Sequence, residues 1–195
     1  MGYKLGILIS GNGSNMLNII EASKKKLIKS KVATVVSNNP MALGIKRASK
    51  RGIDVKIINQ NKYSDISDFE DSLSKYLLKK RVDLICLAGF MKVLSKDFVK
   101  NWNNKIINIH PSLLPAFKGL NTHERAIRKK VKFSGCTVHF VDKNIDSGKI
   151  IDQEVVRVLK SDDVASLQKK ILMKEHKLYI RVLKYLETNN GKIWW

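Results

Sequence analysis

A chain of 195 residues with 44% hydrophobic content is long and apolar enough for one domain with a buried core, which excludes disorder as its resting state. No apolar run approaches the ~20 residues needed to cross a bilayer, so a membrane partner is not expected. Its 37 Lys and Arg against 17 Asp and Glu give a net charge of +20, which fits nucleic-acid binding, attraction of anionic small substrates or a plain bias toward lysine.

The hydrophobic pattern alternates strand and helix along the chain. The start, MGYKLGILISGNG, holds an apolar stretch of only Leu5 to Ile9 that runs into glycines. It reads as a buried strand over 4–10, not as a signal peptide, and its likeness to a myristoylation start is weak. SNMLNIIEASKK sets Met16, Leu17, Ile19, Ile20 and Ala22 on one helix face. Strand KVATVVSNN (31–39), a short helix over 41–52 closed by Gly52 and strand DVKIIN (54–59) follow. A helix over 65–81 places Ile66, Phe69, Leu73, Tyr76 and Leu77 at helical spacing. DLICLAG (83–89) is a continuous apolar run, as a central parallel strand should be. A short helix over 95–102 precedes strand KIINIH (105–110), the loop PSLLPAFKGLN and a helix near HERAIRKK. The alternating segments GCTVHFVD (135–142) and GKIIDQEVVRVL (148–159) are expected to pair as antiparallel strands. A long helix over 161–187 has a Ser or Asp cap and an apolar stripe of Val164, Leu167, Ile171, Leu178, Val182 and Leu186. GKIWW is expected to add a short terminal strand. The predicted class is α/β: a Rossmann-like, mainly parallel twisted sheet with flanking helices and antiparallel strands near the C-terminal part.

On this outline the basic runs Lys24–Lys26 and Arg128–Lys130 fall at exposed helix ends without interleaved aromatic residues. A nucleic-acid partner is therefore not expected, and anion steering and compositional bias remain. Cys86 and Cys136 each lie inside an apolar stretch and form no Cys-x-x-Cys pair, so buried thiols in a reducing cytoplasm are expected.

Three places carry candidate chemistry. The first strand-to-helix turn is Ser10-Gly11-Asn12-Gly13-Ser14-Asn15. Its glycines permit a close backbone approach, and the helix that follows aims free N–H groups at the turn. Met16 stands where a dinucleotide fingerprint has its third glycine, and no Gly-Lys-Ser/Thr follows. The turn either binds a phosphate or is a tight connection with no ligand. In Asn108-Ile109-His110-Pro111 the amide and imidazole lie two apart on a strand and share one side, with Ile109 facing the core. This pair is either a site at a strand end or a core histidine beside a turn-forming Asn. Asp146, in Asn144-Ile145-Asp146-Ser147-Gly148, is either a turn residue or, if the fold brings it to His110, an acid that favours the protonated imidazole. His139 shares a face with Thr137 and Val141 and reads as a half-buried structural histidine. His110, His123, His139 and His176 are scattered, with no pair at helical i, i+4 spacing, so no metal is expected. No Gly-x-Ser-x-Gly elbow supports a covalent nucleophile.

The segments LISGNGSN, LAGFMKVLS, INIHPSLLPAFKG and GCTVHFVDKNIDSGKII, in that order and spacing, resemble the phosphoribosylglycinamide formyltransferase family of folate-dependent enzymes. The likeness runs from about Leu5 to the last helix. It implies a single domain over 1–195, with a phosphate-binding half (1–104), a catalytic half (105–195) and the folate site at their junction. It implies that 10-formyltetrahydrofolate is the co-substrate and glycinamide ribonucleotide the acceptor, in the cytoplasm, without metal, in a monomer or homodimer. By the same resemblance Asn108 and His110 stabilise the oxyanion, His110 moves a proton and Asp146 supports it. Gly13, Ser14 and Asn15 hold the substrate phosphate, and Glu175 meets its glycinamide end. Met91, Lys92, Val93, Leu94 and Asn144 line the folate pocket.

Two departures touch the folate's glutamate tail: Lys92 stands where the family often has Arg, and Ile66 falls near another tail-binding Arg. Rival readings are methionyl-tRNA formyltransferase, which carries an extra C-terminal RNA-binding domain, and formyltetrahydrofolate deformylase, which generally carries an N-terminal regulatory domain. A non-catalytic nucleic-acid-binding protein on the same scaffold is the rival from another class.

Overall fold

The structure, a computed structural model, describes residues 2–189. In chain order the elements are β1 (Lys4–Ile9), α1 (Ser14–Lys24), β2 (Lys31–Ser37), α2 (Leu43–Ser49), β3 (Val55–Ile57), α3 (Ile66–Lys79) and β4 (Leu84–Leu87). They continue with α4 (Lys96–Asn101), β5 (Ile106–His110), α5 (Thr122–Arg128), β6 (Phe133–Phe140), β7 (Ile150–Arg157) and α6 (Val164–Thr188). The strands form one sheet in the order β3-β2-β1-β4-β5-β6-β7. β1 to β5 run parallel, and β6 and β7 join antiparallel. This is the Rossmann-like mixed sheet expected from the alternation. The order reverses direction between β1 and β4, which opens a crevice at the C-terminal ends of those strands.

Period-two alternation sorts the strand residues into two cores. Leu5, Ile7 and Ile9 of β1, Cys86 of β4, Ile107 and Ile109 of β5, and Cys136 and Val138 of β6 pack on one face. Residues of α1 and α6, including Met16, Ile19, Leu167, Leu178 and Val182, cover them. Leu8, Ile85, Leu87 and Ile106 face the other way, under Phe69, Leu73 and Leu77 of α3 and Phe98 of α4. Burying each such side chain stabilises the fold by about 1.5–3 kcal/mol. Asn108 and His110 alternate with Ile107 and Ile109, so they lie on the α3/α4 side.

Helix starts follow cap chemistry. Asp65 accepts from the Ser67 N–H, Ser95 from the Phe98 N–H, and Asp163 forms a capping box with Ser166. Several expectations change. Val164 and Ile66, both read as core-facing, begin their helices and are 41% exposed, because the first turn overhangs the packed face. The strand expected over 54–59 is only Val55–Ile57. As an edge strand it has one neighbour, and the chain then enters a 3-10 turn at Gln60–Lys62 capped by Asn59. The helix expected over 41–52 is Leu43–Ser49, with Gly52 three residues beyond it at φ +68°. The terminal strand expected at 191–195 lies outside the described residues. Among the described residues no helix is long and apolar enough to cross a membrane.

Candidate active site

Beyond Ile106, which packs with Phe98, the loops after β5 and β6 reach over the α3/α4 face of these strands. Antiparallel pairing sets Asn108 opposite His139 and His110 opposite Thr137. Cross-strand partners share a face. Four polar side chains therefore line one patch of the sheet.

The loop after β5 is pinned over this patch by Thr137. Its hydroxyl donates to the Ser112 carbonyl at 2.7 Å and accepts the Leu114 N–H at 3.0 Å. Gln153 of β7 adds a bond to the Leu114 carbonyl. The Leu114–Pro115 peptide is cis. The loop then returns the Phe117 carbonyl to within 3.0 Å of His110 Nε2.

The loop after β6 brings Asp146. Gly148 makes this possible: a Cβ there would sit 1.8 Å from the Phe140 carbonyl oxygen. Asp146 takes the left-handed conformation at φ 48°. Its Oδ2 accepts the Gly119 N–H at 2.8 Å and lies 3.3 Å from His110 Nδ1. Both nitrogens of the buried His110 ring thus face oxygens, the Phe117 carbonyl at Nε2 and the Asp146 carboxylate at Nδ1.

His139 belongs to the same cluster. It is 2% exposed, not half-buried as the sequence pattern suggested. Its Nδ1 lies 2.8 Å from the Phe140 carbonyl, and its Nε2 lies 3.3 Å from Asn108 Nδ2 and 3.7 Å from Asp146 Oδ1. Burial lowers its pKa, against the opposing pulls of the Phe140 carbonyl and Asp146. His123 is close enough to His110 to feel its charge, and burial followed by that charge lowers its pKa. Scattered along the sequence, His110, His123 and His139 come near one another in space, while His176 lies apart on α6. Among the described residues no three His, Cys, Asp or Glu side chains form a metal-holding group. Cys86 and Cys136 are free and buried, and burial pushes both thiols up to about 12.

The glycine loop sits across the β1/β4 crevice. Gly13 caps α1 at φ 71° with no side-chain bond, and the first turn of α1 carries no acid, so its N–H groups open toward the loop. Gly44 of α2 packs on this loop. A Cβ on it would stand 2.5 Å from Ile9 and 3.0 Å from the Gly11 carbonyl. Arg47 donates to the Asn12 carbonyl at 3.1 Å, which places a cation beside the turn. Asn15 Nδ2 donates to Glu175 Oε2 at 2.7 Å across 160 residues of chain, while Asn15 Oδ1 is buried without a hydrogen-bond partner. Burial raises the Glu175 pKa, partly offset by the Asn15 bond. The Ser10 hydroxyl ties the rim together, donating to Asn38 Oδ1 at 2.7 Å and accepting the Met91 N–H at 2.8 Å.

The residues after β4 divide. Met91 and Val93 are among the most exposed apolar side chains, at 68% and 61%. Leu94 turns inward to the core with Phe98. Lys92 lies with Nζ 5.4 Å from the Phe69 ring centre. Asn144 is exposed beside Ile145 in the Asp146 loop.

Residues 3–183 match the formyl transferase family. A phosphoribosylglycinamide formyltransferase of Haemophilus influenzae is 38% identical over 182 residues, covering 93% of this chain and 86% of that protein. The trifunctional purine biosynthetic protein adenosine-3 of Homo sapiens is 39% identical over 198 residues, 98% of this chain, and the chain spans 20% of its length. A solved structure of glycinamide ribonucleotide transformylase 1 from Symbiobacterium toebii superposes with a TM-score of 0.94 at 38% identity, covering 96% of this chain and 89% of that one. The phosphoribosylglycinamide formyltransferase of Anaplasma phagocytophilum gives 0.90 at 40% identity, over 97% and 88% of the two chains. With residues 3–183 matched and solved relatives superposing over nearly the whole chain, the chain belongs to the formyl transferase family.

Proposed function

We propose that the chain transfers the formyl group of 10-formyltetrahydrofolate to the amine of glycinamide ribonucleotide, a step of purine synthesis in the cytoplasm. One observation carries the reading: Asp146, distant along the chain, meets His110 at the strand end that also bears Asn108. Relatives named for this activity support it over 93% of the chain.

The residues divide the work. The half over 1–104 supplies the loop Gly13-Ser14-Asn15, whose N–H groups and dipole suit a phosphate monoester. Glu175 reaches this loop from α6 and orients the amine end of the substrate. The half over 105–195 supplies the chemistry, and the folate lies at the junction. Exposed Met91, Val93 and Ile145 give the folate an apolar wall, with Lys92 and Asn144 at its polar edges. Leu94 supports that wall from within the core.

The amine nitrogen bonds to the formyl carbon, the bond from that carbon to the folate nitrogen breaks, and one proton passes from the amine to the folate nitrogen. Negative charge grows on the formyl oxygen meanwhile. Asn108 and His110 face that charge as donors, a role worth ~100- to 1,000-fold per donor. At His110 Nε2, exchanging the Phe117 carbonyl for the formyl oxygen costs the ring no hydrogen bond. Asp146 Oδ2 faces the ring's Nδ1 from the other side. These groups all come from one chain, so a monomer and a homodimer carry the same set.

The test is absorbance-monitored loss of the folate formyl group, with and without glycinamide ribonucleotide. Deformylation that requires the amine is expected. Equal rates without it would make the protein a hydrolase, and no reaction in either case would end the proposal.

A further inference from the structure

His139 is deeply buried and bonded to the very amide that the proposed mechanism uses. Its ring hydrogens follow from its neighbours. The Phe140 carbonyl can only accept, so Nδ1, 2.8 Å away, carries the hydrogen. The neutral ring then leaves Nε2 bare. A bare nitrogen 3.3 Å from the Asn108 amide requires the NH2 end of that amide to face it. At 3.7 Å the Asp146 Oδ1 is beyond hydrogen-bond range of Nε2 and does not compete.

This fixes an otherwise two-fold choice. A primary amide rotates about its last torsion with nearly equal wells. With one N–H held by His139, the amide plane and the direction of the second N–H are set. Asn108 is the half-exposed residue of β5, whose other residues are buried, so this end of the amide opens toward the site. Strand pairing holds the partners in place, since Asn108 and His139 are direct neighbours across β5 and β6.

We propose that His139 is a positioning residue for formyl transfer: its bare Nε2 holds one N–H of Asn108 and thereby aims the other at the formyl oxygen. The inference rests on the function proposed above. It differs from a space-filling role, because a packing histidine would act on folding and not specifically through Asn108.

The first test is kinetic, with the full chain, 10-formyltetrahydrofolate and glycinamide ribonucleotide. His139→Leu removes the acceptor, and kcat is expected to fall about 30-fold or more, with both KM values within about twofold. His139→Gln places an amide oxygen near the position of Nε2, and at least a third of the lost activity should return. In the Asn108→Ala background, adding His139→Leu should cost less than about threefold, because the group it aims is gone. Full multiplication of the two single losses overturns the proposal, as does wild-type kcat in folded His139→Leu.

The second test needs no variant. Nitrogen-15 correlation spectra of the wild-type imidazole rings at neutral pH should show His139 with hydrogen on Nδ1 and a bare Nε2. Hydrogen on Nε2 overturns the proposal even if His139→Leu fails to fold. A wild-type protein without transferase activity would sink the proposed function. An active wild type with an additive mutant cycle sinks only the role of His139.

Discussion

Asp146 and His110 meet with Oδ2 and Nδ1 3.3 Å apart, their side chains 11% and 6% exposed. The carboxylate is held by the Gly119 N–H and by the left-handed turn at its own backbone, so its place does not depend on the ion pair. Asp146→Asn should keep the Gly119 bond through its amide oxygen while removing the charge beside the ring. We expect a folded protein whose kcat falls ~100-fold or more, the scale of losing support for a proton-transfer group. Steady-state kinetics together with a thermal melt check this, and an unchanged kcat would remove Asp146 from the mechanism.

Glu175 gives a prediction about stability as well as binding. Burial raises its pKa above the ordinary 4.5. The native state therefore holds a proton that the unfolded chain releases, and stability falls as pH rises from 4.5 toward the native value. Above that value the full cost is present, and below 4.5 it vanishes. Glu175→Gln keeps an oxygen to accept from Asn15 but carries no buried charge. Its melting temperature should exceed that of the wild type at neutral pH and match it in acid. If Glu175 orients the substrate amine, the KM for glycinamide ribonucleotide should rise by about tenfold in the same variant.

Much of this architecture is legible in the linear chain, for identifiable reasons. Runs such as DLICLAG and the Met16–Ile20 stripe carry the period of their element, because each must bury one face or both. Asn108 and His110 are readable as a pair because strand alternation is strict and their neighbours Ile107 and Ile109 are apolar. His139 is not readable as their partner. The alternation of GCTVHFV places it opposite Cys136 and Val138, which is correct, but only the antiparallel register brings it to Asn108. A loop and helix α5 separate those strands, and local propensity does not set the register in which they close. Likewise Asp146 looks like any turn acid until the Gly148 contact folds its loop back over β5. Val164 and Ile66 mislead because a hydrophobic stripe says nothing about whether a first turn overhangs its sheet.

Gly148 offers a separate check on that loop. Its Cβ position coincides with the Phe140 carbonyl oxygen at 1.8 Å, and this backbone cannot move without breaking the Phe140 N–H bond to the Lys149 carbonyl at 2.9 Å. Gly148→Ala should therefore destabilise the fold by on the order of 3 kcal/mol. It should also lower kcat by displacing Asp146. Gly119→Ala is the contrast: its added Cβ meets nothing within 4 Å, and φ of +79° is the only strain. Its loss in a denaturant melt should be the smaller of the two, and equal losses would show that the close approach at Gly148 does not matter.

The net charge of +20 leaves two explanations that salt can separate. Both proposed ligands are anions, a phosphate monoester and a glutamate-tailed folate. Arg47 stands beside the glycine loop, and Lys92, at the edge proposed for the folate, holds its Nζ 5.4 Å from the Phe69 ring centre. Long-range attraction speeds encounter and is screened once the Debye length shrinks, from about 30 Å at 0.01 M salt to about 10 Å at 0.1 M. If the charge steers substrates, kcat/KM should fall severalfold over that range while kcat stays nearly level, because contacts inside the site are screened less. Viscosity-controlled kinetics at the two salt concentrations measure the encounter step directly. A flat kcat/KM would mean that the lysines reflect composition alone, since a field strong enough to guide anions cannot be insensitive to counterions at these separations.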